Sequence, residues 1–176
     1  MTYRMHLRAL PESQLPRGYG PLAGFLDEAW DHYEEEAGAG IAWSIEKDFE
    51  LLDRLCTSEP AAPGGADGPG ALPVAGGIVI EDPRDVDPPI LVLDPGEVRE
   101  AARFLDEVPF DALWASGGKP VMAGFRGWDE ARVRDEVVRP RHEGLRTFYA
   151  RAAAQGHRVV KCSGSEPRMI PSPQFG

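Results

Sequence analysis

The sequence predicts an α+β fold: one compact domain in which a small mixed sheet packs with about five helices. Three observations carry this. Short runs with the character of strands lie near both ends and in the middle of the chain. Longer segments between them carry the 3.6-residue period of amphipathic helices. The resulting order is strand, helices, strands, helices, strand, which lacks the regular βαβ alternation of a doubly wound sheet.

Tyr3 to Ala9 alternates, with Tyr3, Met5, Leu7 and Ala9 on one side and Arg4, His6 and Arg8 on the other. That is the period of a strand with one buried face. After the turn-rich stretch Pro11 to Pro21, an apolar stripe of Leu22, Phe25, Leu26, Ala29, Trp30 and Tyr33 predicts a helix that stops near Gly38 and Gly40. Ser44 is placed to cap a second helix, with Ile45, Phe49, Leu52, Leu55 and Cys56 as its buried stripe. Glu59 to Pro73 is rich in Pro, Ala and Gly and reads as a flexible loop.

Ile78 to Ile80 and Ile90 to Leu93 are short apolar runs bounded by Gly and Pro, the pattern of strands. Asp94, Pro95 and Glu97 then form a helix start with a capping box, and Val98, Ala101, Ala102, Leu105 and Val108 form its stripe. Phe110, Leu113 and Trp114 add a helical turn. Gly117 to Gly127 reads as a loop holding a short strand at Val121 to Ala123. Helical patterning resumes near Asp129, must break or restart at Pro140, and stops at Gly156. Arg158 to Cys162 is the last predicted strand. The domain spans residues 1–162 in this reading, with a loosely held tail over 163–176.

Charge is unevenly spread. The net charge of the 176 residues is −10, but residues 1–125 hold 9 Lys/Arg against 23 Asp/Glu, and residues 126–176 hold 10 against 6. The basic last quarter is expected to face the acidic part within the fold. An acidic chain has no general electrostatic reason to seek nucleic acid or anionic lipid, so neither is an expected partner. Met1 to His6 contains no apolar leader, no run approaches the ~20 residues of a membrane span, and the two cysteines, Cys56 and Cys162, form no CxxC pair. A reducing cytoplasm is the expected compartment.

Three stretches resemble one family. Ser44 to Thr57 looks like the acidic, Leu-rich helix of the YfbM-like family, a set of small bacterial proteins grouped under a domain of unknown function. Pro89 to Val98 is similar to its strand followed by a Pro-Glu helix start, and His142 to Val160 to its closing helix and strand. The resemblance spans nearly the whole chain and implies a compact α+β domain, with no activity, substrate or cofactor attached. Phe49 stands where the family often has Trp, and Glu50 and Asp53 where it often has His. Any chemistry of those histidines therefore does not carry over.

Motifs for chemistry are sparse. Asp27, Asp31 and Glu34 share one helical face, beside His32, but a charge run of this kind reads first as a solvated face. His6, His32, His142 and His157 have no metal-ligand spacing. Gly117-Gly118-Lys119-Pro120 is no phosphate loop, because Pro120 lacks the N–H such a loop needs. No serine lies in a nucleophile elbow. No cofactor is predicted. Trp30 and Trp114 lie on core stripes, whereas Trp43 and Trp128 lie next to Gly-rich loops before helices and can either line a pocket or staple a helix start. The functional expectation is a non-catalytic binding or interaction module for a protein or small ligand, with Trp43, Trp128, His32 and Asp31 as its candidate surface. The alternative is a hydrolase-type enzyme working through acidic residues, with or without a metal.

Overall fold

The computed structural model describes residues 3–165, so Glu166 to Gly176 of the expected tail lies outside the described residues. Among the described residues five strands form a single sheet: β1 (Tyr3–Leu10), β2 (Ala42–Ile45), β3 (Ile78–Ile80), β4 (Ile90–Leu93) and β5 (Arg158–Ser165), in the order β2-β1-β5-β4-β3. Every pairing is antiparallel, so the sheet is not the mixed one expected. The first and last strands pair along their full length, from Tyr3 opposite Ser165 to Leu10 opposite Arg158. That pairing extends β5 past Cys162 and takes Ser163 to Ser165 out of the expected tail.

Strand alternation sends side chains to two covered faces rather than one. Met5, Leu7 and Ala9 join Ile45, Leu93 and Val159 in the larger core. Helices α3 (Phe49–Cys56), α4 (Pro95–Glu107), α5 (Phe110–Met122) and α7 (Arg139–Ala154) close over that face with Leu55, Leu105, Leu113 and Leu145, all fully buried. On the opposite face, Leu10, Ile90, Val92 and Val160 pack against Leu22 and Leu26 of α1 (Tyr19–Asp31). The helix expected to run on to Gly38 breaks at His32, and a separate short helix, α2 (Tyr33–Gly38), follows.

Several local readings hold. Asp94 and Glu97 form both halves of the capping box of α4. Asp129 accepts from the Arg132 amide at the start of the short α6 (Glu130–Arg132). A π-helical turn over Val133–Val138 then leads into α7, so Pro140 falls in the first turn, where a missing N–H costs little. Gly156 ends the helix region at φ +67°, a conformation that favours glycine.

Three others need correction. Ser44 caps no helix: it lies in β2, opposite His6, and its hydroxyl donates to the Tyr33 hydroxyl at 3.0 Å. Gly117 to Met122 is helix, not loop and strand, because α5 uses its two glycines to pack closely. A Cβ at Gly117 would collide with Ser58, and one at Gly118 with Trp114. Residues 59–73 are not a featureless flexible loop. They form two 3-10 turns, bury Ala62 and Gly70, and are tied to the core through Pro73, whose carbonyl accepts from the buried Tyr149 hydroxyl at 2.9 Å.

The tie continues one step along. Lys161, with 0% exposure, donates from Nζ to the carbonyls of Leu72 (2.6 Å) and Gly76 (2.7 Å). Burial lowers its pKa to about 7. Asp53, nearby on α3, accepts from the Ala75 amide at 3.3 Å.

The basic last quarter does face the acidic remainder. Arg139 pairs with Asp111, Arg141 with Asp48 and Glu46, Arg146 with Asp106, and Arg158 with Glu12.

Candidate functional site

Arg4, His6 and Arg8 project from β1 toward α1, and each meets a different environment. Arg8 is neutralised by Glu36 of α2, with Nε to Oε2 at 2.8 Å and a second bond of 3.0 Å, and its guanidinium lies 5.5 Å from the centre of the Phe25 ring. His6 has no such partner. It is 4% exposed and set edge-on to Trp30, with ring centres 5.0 Å apart, and to Tyr33 at 5.8 Å. Its Nε2 is buried with no hydrogen-bond partner among the described residues. Desolvation lowers its pKa to about 4, helped by Arg8 and opposed by Glu36, so the ring is neutral near pH 7.

The sheet register places Cys162 opposite His6 on β5. Burial pushes this thiol up to about 11, with the carboxylate of Asp27 adding to the shift, so it is held protonated. Cys56 lies in the core on the other face, and burial and Asp53 push it up to about 12. Both cysteines are free thiols.

Helix α1 covers the sheet at Leu22 and Leu26 but does not seal it beyond them. A cleft of about 430 Å³ opens between the helix, β1, the end of β5 and the segment before β4. His6 and Cys162 line it from the sheet, Asp27 and Trp30 from the helix, and Asp87 from the loop. Tyr19 pins that loop to α1 by donating to the Pro88 carbonyl at 3.0 Å.

The loop itself is organised by Asp82. Its carboxylate accepts from the amides of Arg84 (3.0 Å), Val86 (3.2 Å) and Asp87 (3.1 Å) and from the Arg84 side chain. The Arg84 amide, the Arg84 guanidinium and the other amides hold this carboxyl far below the usual range. One wall of the cleft is therefore a braced turn.

The four candidates from sequence do not converge on one site. Trp43 lies in β2 rather than before a helix and faces the larger core. It packs so closely on α7 that a Cβ at Gly144 would strike its indole. Its Nε1 has no partner among the described residues. Asp31 ends α1, and His32 follows it; both belong to the other side of the sheet and are exposed. His32 Nδ1 donates to the Glu28 carbonyl at 2.9 Å, which raises its pKa. Trp128 is 49% exposed on the connection between α5 and α6, beside Phe125 and with Arg132 5.1 Å from its ring centre.

The acidic run is likewise divided. Asp27 borders the cleft, the break at His32 separates Asp31 from Glu34, and Glu36 is occupied by Arg8. Among the described residues no group of three or more His, Cys, Asp or Glu is placed to hold a metal ion.

His6 and Cys162 were missed because their meeting depends on a strand pairing between the two ends of the chain. One signal was available. The arc Leu22, Phe25, Leu26, Ala29, Trp30 and Tyr33 is too broad for a helix lying at the margin of a one-faced sheet. It fits a helix that covers the second face of β1.

A helix-flanked antiparallel sheet with one sealed face and one cleft defines a small α+β domain with a single-sided concave site. The chain belongs to the family described as a domain of unknown function, DUF1877, whose model matches residues 1–161. Among solved structures it is similar to a protein of unknown function, YfbM, from Escherichia coli. The two share 14% sequence identity over 92% of this chain and 99% of that one, with a TM-score of 0.59, a likeness of fold. No curated protein matches the chain in sequence. Among the described residues no helix is long and apolar enough to cross a membrane.

Proposed function

We propose that the chain is a non-catalytic binding module that takes a small organic ligand in the cleft between α1 and the sheet. One observation carries the reading: His6 is almost fully buried beside an open cleft, and its Nε2 lacks a partner among the described residues. A buried polar atom without a partner costs roughly 1–3 kcal/mol, and a ligand whose binding reaches this atom recovers part of that cost. The cleft volume, about 430 Å³, falls in the usual range for small-molecule sites. Aromatic walls with a few convergent polar groups are the composition such sites use.

A cytoplasmic setting fits two thiols that lie on opposite faces of the sheet and stay free. Nucleic acid fits poorly as a partner. Most arginines of the basic last quarter are engaged by carboxylates of the same chain, which leaves little cationic surface for phosphates.

The test is a fragment screen read by two-dimensional NMR on isotope-labelled protein. Hits are expected to shift signals of α1, β1 and the end of β5 together. His6→Phe, which keeps an aromatic ring against Trp30, is expected to abolish those shifts while leaving the fold intact. Hits that gather elsewhere, or that bind His6→Phe unchanged, contradict the reading.

A further inference from the structure

We infer that the ligand of this cleft is an organic cation: a protonated amine on an apolar or aromatic body. The inference rests on the binding reading above and names the chemistry of its ligand.

Two of the side chains that line the cleft, Asp27 and Asp87, carry negative charge and only accept hydrogen bonds. Asp27, on the solvent side of α1, makes no hydrogen bond or ion pair among the described residues, although Cys162 feels its charge. Asp87 adds a second carboxylate on the facing loop, with its Oδ2 3.0 Å from Arg84. His6 lines the cleft with a ring that is neutral near pH 7, and its buried Nε2 has no partner among the described residues. The cations nearby are engaged: Arg8 with Glu36, Arg84 with Asp82 and Asp87, and Arg4, which also lines the cleft, with Glu46 at 3.7 Å.

A ligand that carries positive charge and donates N–H bonds satisfies Asp27, and the neutral His6 ring in the same cleft adds no repulsion. An anion meets two carboxylates and a ring that resists protonation. Trp30, between His6 and the helix surface, adds the ring type whose face attracts cations best. Leu26, Ala23 and Ile90 provide the apolar ground for the rest of the molecule.

Three probes of one shape and different charge make the test: 2-phenylethylamine, 2-phenylethanol and 3-phenylpropanoate at pH 7. Binding is followed by NMR titration and by the shift in melting temperature, since a ligand that binds only the folded state must raise it. The amine is expected to bind roughly tenfold tighter than the alcohol or better, and the carboxylate to give no measurable binding. Asp27→Asn, at an exposed position that folding does not need, is expected to bring the amine down to the level of the alcohol.

Equal binding of amine and alcohol, tighter binding of the carboxylate, or an unchanged amine affinity in Asp27→Asn overturns the inference. Silence from all three probes overturns it as well. If other fragments still fill the cleft, only the ligand class falls; if nothing fills it, the binding reading falls too.

Discussion

On one face of the sheet, α3, α4, α5 and α7 close over Leu7, Ile45 and Val159; on the other, α1 covers Leu10, Val92 and Val160 and stops short of sealing the ground beside His6. The first face is finished for stability. Its glycines at 117 and 144 bring helices and Trp43 into contact, and a buried lysine and tyrosine tie its loop down. The second face is built by the same strands and the same alternation, yet it keeps an open cleft lined by His6 and a half-buried thiol. Marginal stability of a domain is a balance of large terms. A fold with one well-packed face can leave the other incompletely packed where a ligand is to enter.

The largest expected effect follows from that contrast. Leu113→Ala, in the middle of the sealed face, removes a side chain with no exposure and leaves a cavity its neighbours cannot fill. It is expected to cost about 3–4 kcal/mol in urea unfolding. Leu26→Ala, equally apolar but bordering the cleft, is expected to cost about half as much, because water already reaches one side of the site. A larger loss at Leu26 than at Leu113 would show that the α1 face carries the domain.

Acid sensitivity separates the two faces next. His142 on α7 is 3% exposed, packs against Phe110 at 5.3 Å, and has both ring nitrogens without a partner among the described residues. Desolvation, then Arg146 and Arg139, lowers its pKa to about 4, the same level as His6. Each ring is neutral in the fold and takes a proton more readily in the unfolded chain. Stability is therefore full above about pH 6.5 and is lost as pH falls from there toward 4, by about 2–3 kcal/mol per histidine. In urea midpoints measured across that window, His142→Phe and His6→Phe are each expected to remove one proton's worth of slope. Amine bound at the cleft is expected to alter the His6 part alone.

Much of the sealed face could be read before folding was considered. The capping box at Asp94, the stripe of Val98, Ala101 and Leu105 that follows it, and the two strands at 78–80 and 90–93 are local patterns, and each lies where its pattern puts it. The misreadings arise where tertiary packing overrides local preference. Gly117 and Gly118 resemble loop residues by propensity but serve as contact points inside α5, and Trp43 enters a strand because β1 recruits residues 42–45 as a neighbour. The cleft belongs to the second kind of information. Nothing local marks His6 as buried or Cys162 as its neighbour; both follow from the register of β1 on β5.

The smallest effect is expected at the residues that looked most like a site from sequence. Asp31→Asn and His32→Gln change exposed groups beyond the last buried turn of α1, and neither lines the cleft beside His6. Each is expected to shift stability by less than about 0.5 kcal/mol in urea unfolding. Their effect on amine binding is the more informative measurement. Asp27 and Asp31 lie one turn apart on the same helix and carry the same charge, so long-range attraction alone would make the two aspartates nearly equivalent at low salt. A loss confined to Asp27→Asn assigns the interaction to contact within the cleft. A comparable loss in Asp31→Asn, disappearing as salt is raised, would assign it to the general field of the acidic helix and remove the distinction between a site and a charged surface.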